Sequence, residues 1–263
     1  MLFAVGNKYS DRVGFKHKEV KMARSATFKW GGLDKFSIIE MLKPCRRLLV
    51  DQKLKVSDIQ KIFSKQIKSH LPIKVTRDRD FNTQQGYIYV GGFYHTFEDM
   101  YGRQCIELRL SYHPFENYLT ITSKRFAAMC NTIADTILHE IIHMRQARSR
   151  SFRQIPGFSS YAESNKQRRQ QNYLGDPDEI DAHGFNIACS LYERLGSYNA
   201  VANHLNENME DGRKKKDTWK TYLEAFDHNH RHPVIQKLKK RVMYYVPYAE
   251  LGKPYKTTDW LKH

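Results

Sequence analysis

Thr132-Ile133-Ala134-Asp135-Thr136-Ile137-Leu138-His139-Glu140-Ile141-Ile142-His143-Met144 is apolar and free of Pro and Gly. Its spacing predicts a long buried helix from about Ser123 to Arg148. On such a helix His139 and His143 lie four residues apart, on one face and about 6 Å from each other, so both imidazoles can reach one tetrahedral metal ion. Glu140 stands beside them, placed to take a proton from a water whose pKa zinc lowers to about 7. A core helix with merely hydrogen-bonded histidines is the plain alternative; HExxH in this helical setting favours the metal.

Such a site needs a third protein ligand and an open position. The best donor lies in Asp176-Pro177-Asp178-Glu179-Ile180-Asp181-Ala182-His183. Asp176 reads as an N-cap, Pro177 as the first helical residue, and the acids suit the positive helix end. Simple capping would explain these acids alone, but beside the upstream motif Glu179 is the leading third ligand. His183 shares its face at i,i+4. Three roles are open to His183: donor to a developing oxyanion, ligand in place of Glu179, or partner of a neighbouring group. Tyr161 and Tyr173 are further phenolic donors, more often packing residues among 16 tyrosines.

HEIIH followed by Glu179 in an E-x-x-A-x-x-F-x-x-A helix resembles the zincin metallopeptidases of the HExxH-plus-Glu type, and the second motif is similar to that of the ImmA/IrrE-like family. The likeness spans these two helices and the strands before them, about half the chain. His183 stands where the family pattern usually has Asn. The resemblance implies a zincin-like α+β fold, with a mixed sheet, an HExxH helix and a mostly helical C-terminal part. It implies Zn²⁺ held by His139, His143 and Glu179, Glu140 as general base, and hydrolysis of a protein or peptide substrate. It also implies a bacteriophage source, and hence host cytoplasm or virion. SprT-type zincins, which act on DNA-bound proteins, use a third histidine instead.

With 263 residues, 40% hydrophobic and 13% aromatic, the chain can bury a sizeable core. No apolar run approaches the roughly 18 residues of a membrane span, and Met1–Lys8 is too short and wrongly ordered for a secretory signal, so neither a membrane partner nor export by that route is expected. Cys45, Cys105, Cys130 and Cys189 are scattered without CxxC spacing. They read as reduced, mostly buried thiols of a cytoplasmic protein.

Residues 1–32 read as a basic arm, with Lys16, Lys18, Lys21 and Arg24, ahead of one domain over 33–263. Helices are expected near Lys35–Leu49 and Val56–His70, the second capped by Ser57, then strands at Ile73–Arg77, Tyr87–Phe93 and Cys105–Tyr112. Zincins, by resemblance, lay the edge strand of the sheet along the substrate; Cys105–Tyr112 is the expected edge, if it is not paired on both sides. A turn at His228–His232 should precede a last helix from Val234 to Tyr244.

The net charge is +16, and Arg145 to Gln170 holds seven basic residues against one acid, Glu163. Both ends of that segment are tied to the metal site, so its charge should lie near the cleft. Arg148, Arg150, Arg153, Arg168 and Arg169 are the expected contacts to nucleic acid, with Tyr and Phe available for base stacking; Gly212–Lys216 and Lys237–Arg241 add further positive runs. A generic basic surface has the same composition. The leading expectation is a zinc metallopeptidase. The alternatives are a nucleic-acid-associated structural or binding protein with a zincin frame, and a protease of DNA-bound proteins.

Overall fold

The computed structural model describes residues 33–153, 164–206 and 218–251. The basic arm, Tyr161 and the run at Gly212–Lys216 fall outside these.

Asp34 and Ser37 close a capping box at the start of α1 (Lys35–Leu42). The helix expected to continue to Leu49 is instead interrupted by a 3₁₀ turn at Lys43–Cys45 before α2 (Arg46–Leu49). Pro44 is the cause, since it lacks an N–H and its ring opposes the carbonyl four residues back. After β1 (Lys53–Lys55), α3 (Val56–Lys68) buries Val56, Ile59, Phe63 and Ile67 on one stripe. Ser57 lies within its first turn and does not cap it; the cap position is Lys55, without a side-chain bond.

Strands β2 (Ile73–Arg79), β3 (Ile88–Tyr94) and β4 (Ile106–Tyr112) form a sheet in the order β2-β4-β3, with α4 (Thr96–Met100) between β3 and β4 in the chain. β4 pairs in parallel with β2 and antiparallel with β3, so Cys105–Tyr112, expected as the edge, is the central strand. Its alternation marks one buried face but carries no information about neighbours, which the connection from β2 through β3 and α4 decides. β3 is the edge nearest the HExxH helix. Ile106, Leu108 and Leu110 of β4 join α3 and α5 (Ser123–Ser149) in one core. The opposite face carries Glu107, Arg109 and Ser111. β5 (Tyr118–Thr120) pairs antiparallel with β1.

A second core lies in the C-terminal half, among α6 (Lys166–Gly175), α7 (Pro177–Leu195), α8 (Tyr198–Asn206), α9 (Thr218–Ala225) and α10 (Pro233–Leu251), around Leu191, Tyr222, Leu238 and Val242. α7 opens as its sequence dictates: the Asp176 side chain accepts from Asp178 N, Pro177 is the first residue, and Gly196 ends it at φ +74°. α10 runs further than the expected Val234–Tyr244 and lies close along α7; a Cβ at Gly184 would stand 2.8 Å from Arg241 Cβ. His228–His232 forms the expected turn. Cys45, Cys105 and Cys130 are buried, Cys189 half-buried, and all four are unbridged. The fold is mixed α+β with small sheets and mostly helical, and no helix among the described residues is long and apolar enough to cross a membrane.

Candidate metal centre

Helix α5 presents two imidazoles side by side, with His139 Nε2 and His143 Nε2 3.0 Å apart. The first turn of α7 brings Glu179 against both: Oε2 is 3.4 Å from His139 Nε2, and Oε1 is 3.4 Å from His143 Nε2. The three residues singled out in the sequence therefore meet. Among the described residues, Glu179 Oε2 is a buried oxygen without a hydrogen-bond partner. Burial of that carboxylate acts to raise its pKa, yet His143 and His139 hold it well below the usual range. His143 is its counterpart: burial would lower it, but the charges of Glu179 and Glu140 and its hydrogen bonds raise it to about 9.

The orientation of His143 is fixed from behind. Its Nδ1 lies 3.0 Å from Gln146 Oε1. The Gln146 amide is itself oriented, because its Nε2 donates to Asp178 O and to Asp181 Oδ2, each at 3.1 Å. Asp181 Oδ1 in turn accepts from Tyr245 OH and pairs with Arg241 Nε, both at 2.9 Å, on α10. Since Gln146 Oε1 can only accept, Nδ1 of His143 carries a proton and it is Nε2 that faces His139 and Glu179.

His183 stands one turn beyond Glu179, buried, with Nδ1 2.9 Å from Tyr222 OH and Nε2 4.0 Å from Glu179 Oε2. Burial and the neighbouring His139 drive its pKa down to about 3, so it is neutral at physiological pH. Donor atoms of His139, Glu179 and His183 lie within 4.8 Å of one another, which makes His183 a second possible nitrogen ligand alongside His143. Tyr173 is drawn in as well; burial and the charge and hydrogen bond of Glu179 raise its phenol. Two imidazoles, a carboxylate and its unsatisfied buried oxygen fit a divalent ion with the preferences of zinc, which His139, His143 and Glu179 could hold.

Glu140 is buried on the β3 side of α5. A Cβ at Gly92 would stand 2.5 Å from Glu140 Oε1 and 2.5 Å from Thr136 Cγ2, so only glycine lets the edge strand lie this close. Burial raises the Glu140 carboxyl against the pull of His139 and His143, and Glu179 adds to the rise. A cleft of about 930 Å³ exposes these groups; Gly91 and Gly92 line it on one side, Asp176 and Trp219 on the other.

The five arginines nominated for nucleic acid divide. Arg148 clamps α4 to α5 through a two-pronged bond to buried Asp99, 2.8 and 2.5 Å, and Tyr94 OH donates to the same carboxylate. Arg150 grips Asp178 at 2.7 and 2.6 Å. Arg153, Arg168 and Arg169 are exposed. Gln146, Asp181, Tyr222 and Gly92 escaped the sequence reading, because each acquires its role only from an element distant in the chain. Comparison of the chain with protein-family models, with curated proteins and with solved structures finds no match.

Proposed function

We propose that this chain is a zinc metallopeptidase of the zincin type, with His139, His143 and Glu179 as ligands. The observation that carries the reading is the meeting of those three side chains from two helices, with buried Glu140 beside them on the cleft. When bound, zinc would polarise the scissile carbonyl and bring the pKa of water to about 7. Glu140, its carboxyl raised by burial, takes a proton from the attacking water and returns it to the departing amine. His183, with Nδ1 engaged by Tyr222, is assigned as a donor to negative charge developing on the substrate oxygen. β3, paired on one side only among the described strands, offers its free edge to an extended peptide.

Metal analysis and cleavage of a proteome-derived peptide library, run together on the parent protein and two variants, test this. Glu140→Gln should keep its zinc and lose activity by about 10² to 10⁴-fold. Glu179→Ala should lose most of its zinc, since two histidines hold the ion poorly. Equal cleavage by parent and Glu140→Gln would end the proposal. Zinc without cleavage of any peptide would favour the binding reading, which the net charge of +16 supports.

A further inference from the structure

At the far end of the cleft the loop Asp80–Asn82 turns outward; Asp80 and Asn82 line the cleft while Phe81 between them is 72% exposed. It meets Phe115, 76% exposed, at a centroid distance of 5.9 Å and 77° between planes, and His113 lies edge-on to it at 6.1 Å. Two phenylalanines so fully in water are a standing cost unless something covers them. The surface around them is aromatic and basic in alternation. Arg125 lies 4.7 Å from the Tyr87 ring and donates to Gly86 O at 2.9 Å. Lys53 and Lys55 flank the Tyr118 ring at 6.0 and 5.9 Å. Two carboxylates of this surface, Glu116 and Asp80, have backbone donors: Gly86 N at 2.5 Å and Asn82 N at 2.9 Å. Neither is arranged to neutralise the cations.

We propose that the strip from Phe81 and Phe115 to Tyr118 and Arg125 is a single-stranded nucleic-acid binding surface, with bases stacked on the exposed rings and phosphates met by Lys53, Lys55 and Arg125. Flat π-faces accept any base, and cations between them suit a backbone with one charge per nucleotide. The net charge of +16 brings such a polyanion to the surface. An apolar protein partner would be served by the rings but not by cations set between them, and a duplex hides its bases from the rings. The position of Phe81 at one end of the cleft would hold a bound strand, and proteins carried on it, at the mouth of the cleft that exposes the candidate metal centre.

Fluorescence anisotropy of a labelled oligothymidylate against the full chain, from about 50 to 200 mM salt, tests the assignment. The parent should bind, with affinity falling as salt rises and a duplex of equal length binding less well. Phe81→Ala with Phe115→Ala should weaken binding at least about tenfold, whereas the Phe→Tyr pair should bind like the parent, because the stacking faces are kept. Lys53→Glu with Lys55→Glu should flatten the salt dependence. The proposal is overturned if the parent does not bind at the lowest salt or if the alanine pair binds as tightly as the parent. A preference for the duplex, or binding to anionic vesicles with the oligonucleotide ignored, would also overturn it. The measurement needs no peptide turnover, so its outcome leaves the peptidase proposal untouched.

Discussion

Gln146 carries more of the candidate centre than its distance from the motif suggests. Its amide fixes which nitrogen of His143 faces the site, and it is fixed in turn by Asp178 O and Asp181. Gln146→Ala should therefore lower zinc affinity by about 10 to 100-fold in a chelator competition, without removing a ligand. An unchanged affinity would mean that His143 is oriented by its own helix alone. HExxH was legible because both histidines and the base sit on one turn of one helix, where spacing determines geometry. Glu179 was legible because a capped helix start points its first turn in a known direction. Gln146 and Asp181 were not, since a glutamine at i+3 from a histidine has meaning only when α7 supplies the atoms that orient it. His183 shows the limit from the other side: its face could be read, but the Tyr222 hydroxyl that engages Nδ1 arrives from α9.

Between elements, the decisive approach is that of β3 to α5. Gly92→Ala would drive a methyl into Glu140 and Thr136, and backbone and base must part to make room. Activity on a peptide the parent cleaves should fall by about 10²-fold, as expected when a reacting group is misplaced by about 1 Å, while bound zinc measured on the same sample stays near the parent level. Loss of both together would show that the sheet itself had been displaced. Strand positions were readable from alternation: Ile73, Val75, Ile106, Leu108 and Leu110 are buried as the period of two requires. Their order was not, because a parallel neighbour reached through β3 and α4 leaves no local mark on β4. Pro44 was a visible helix breaker whose effect the apolar spacing concealed, and Ser57 lies two residues past the cap position.

Over the whole molecule, charge is distributed less freely than the composition suggests. Arg148 and Arg150 tie elements together, and on the outer face of the sheet Glu107 accepts from Thr76 Oγ1 at 2.6 Å and from Arg109 at 3.2 Å. Burial opposes ionisation of Glu107, but these partners win and hold it below the ordinary 4.5. The unfolded chain then binds this proton more readily than the native one. The resulting stability is fully present above about pH 4.5 and fades as pH falls through the lowered native value. Urea unfolding between about pH 3 and 6 should show a shallower acid loss for Glu107→Gln than for the parent; parallel profiles would remove this group from the acid limb. The two hydrophobic cores have a separate consequence. His139 and His143 belong to a helix rooted in the first, Glu179 and His183 to one rooted in the second. An ion gripping both sets would act as a rivet between halves otherwise joined by side-chain packing and by the Gln146 and Arg150 bonds to the start of α7, and its binding energy would be spent on holding α7 and α10 in place. Stripping it with a chelator should speed amide hydrogen exchange in those two helices, while α3 and the sheet keep their protection.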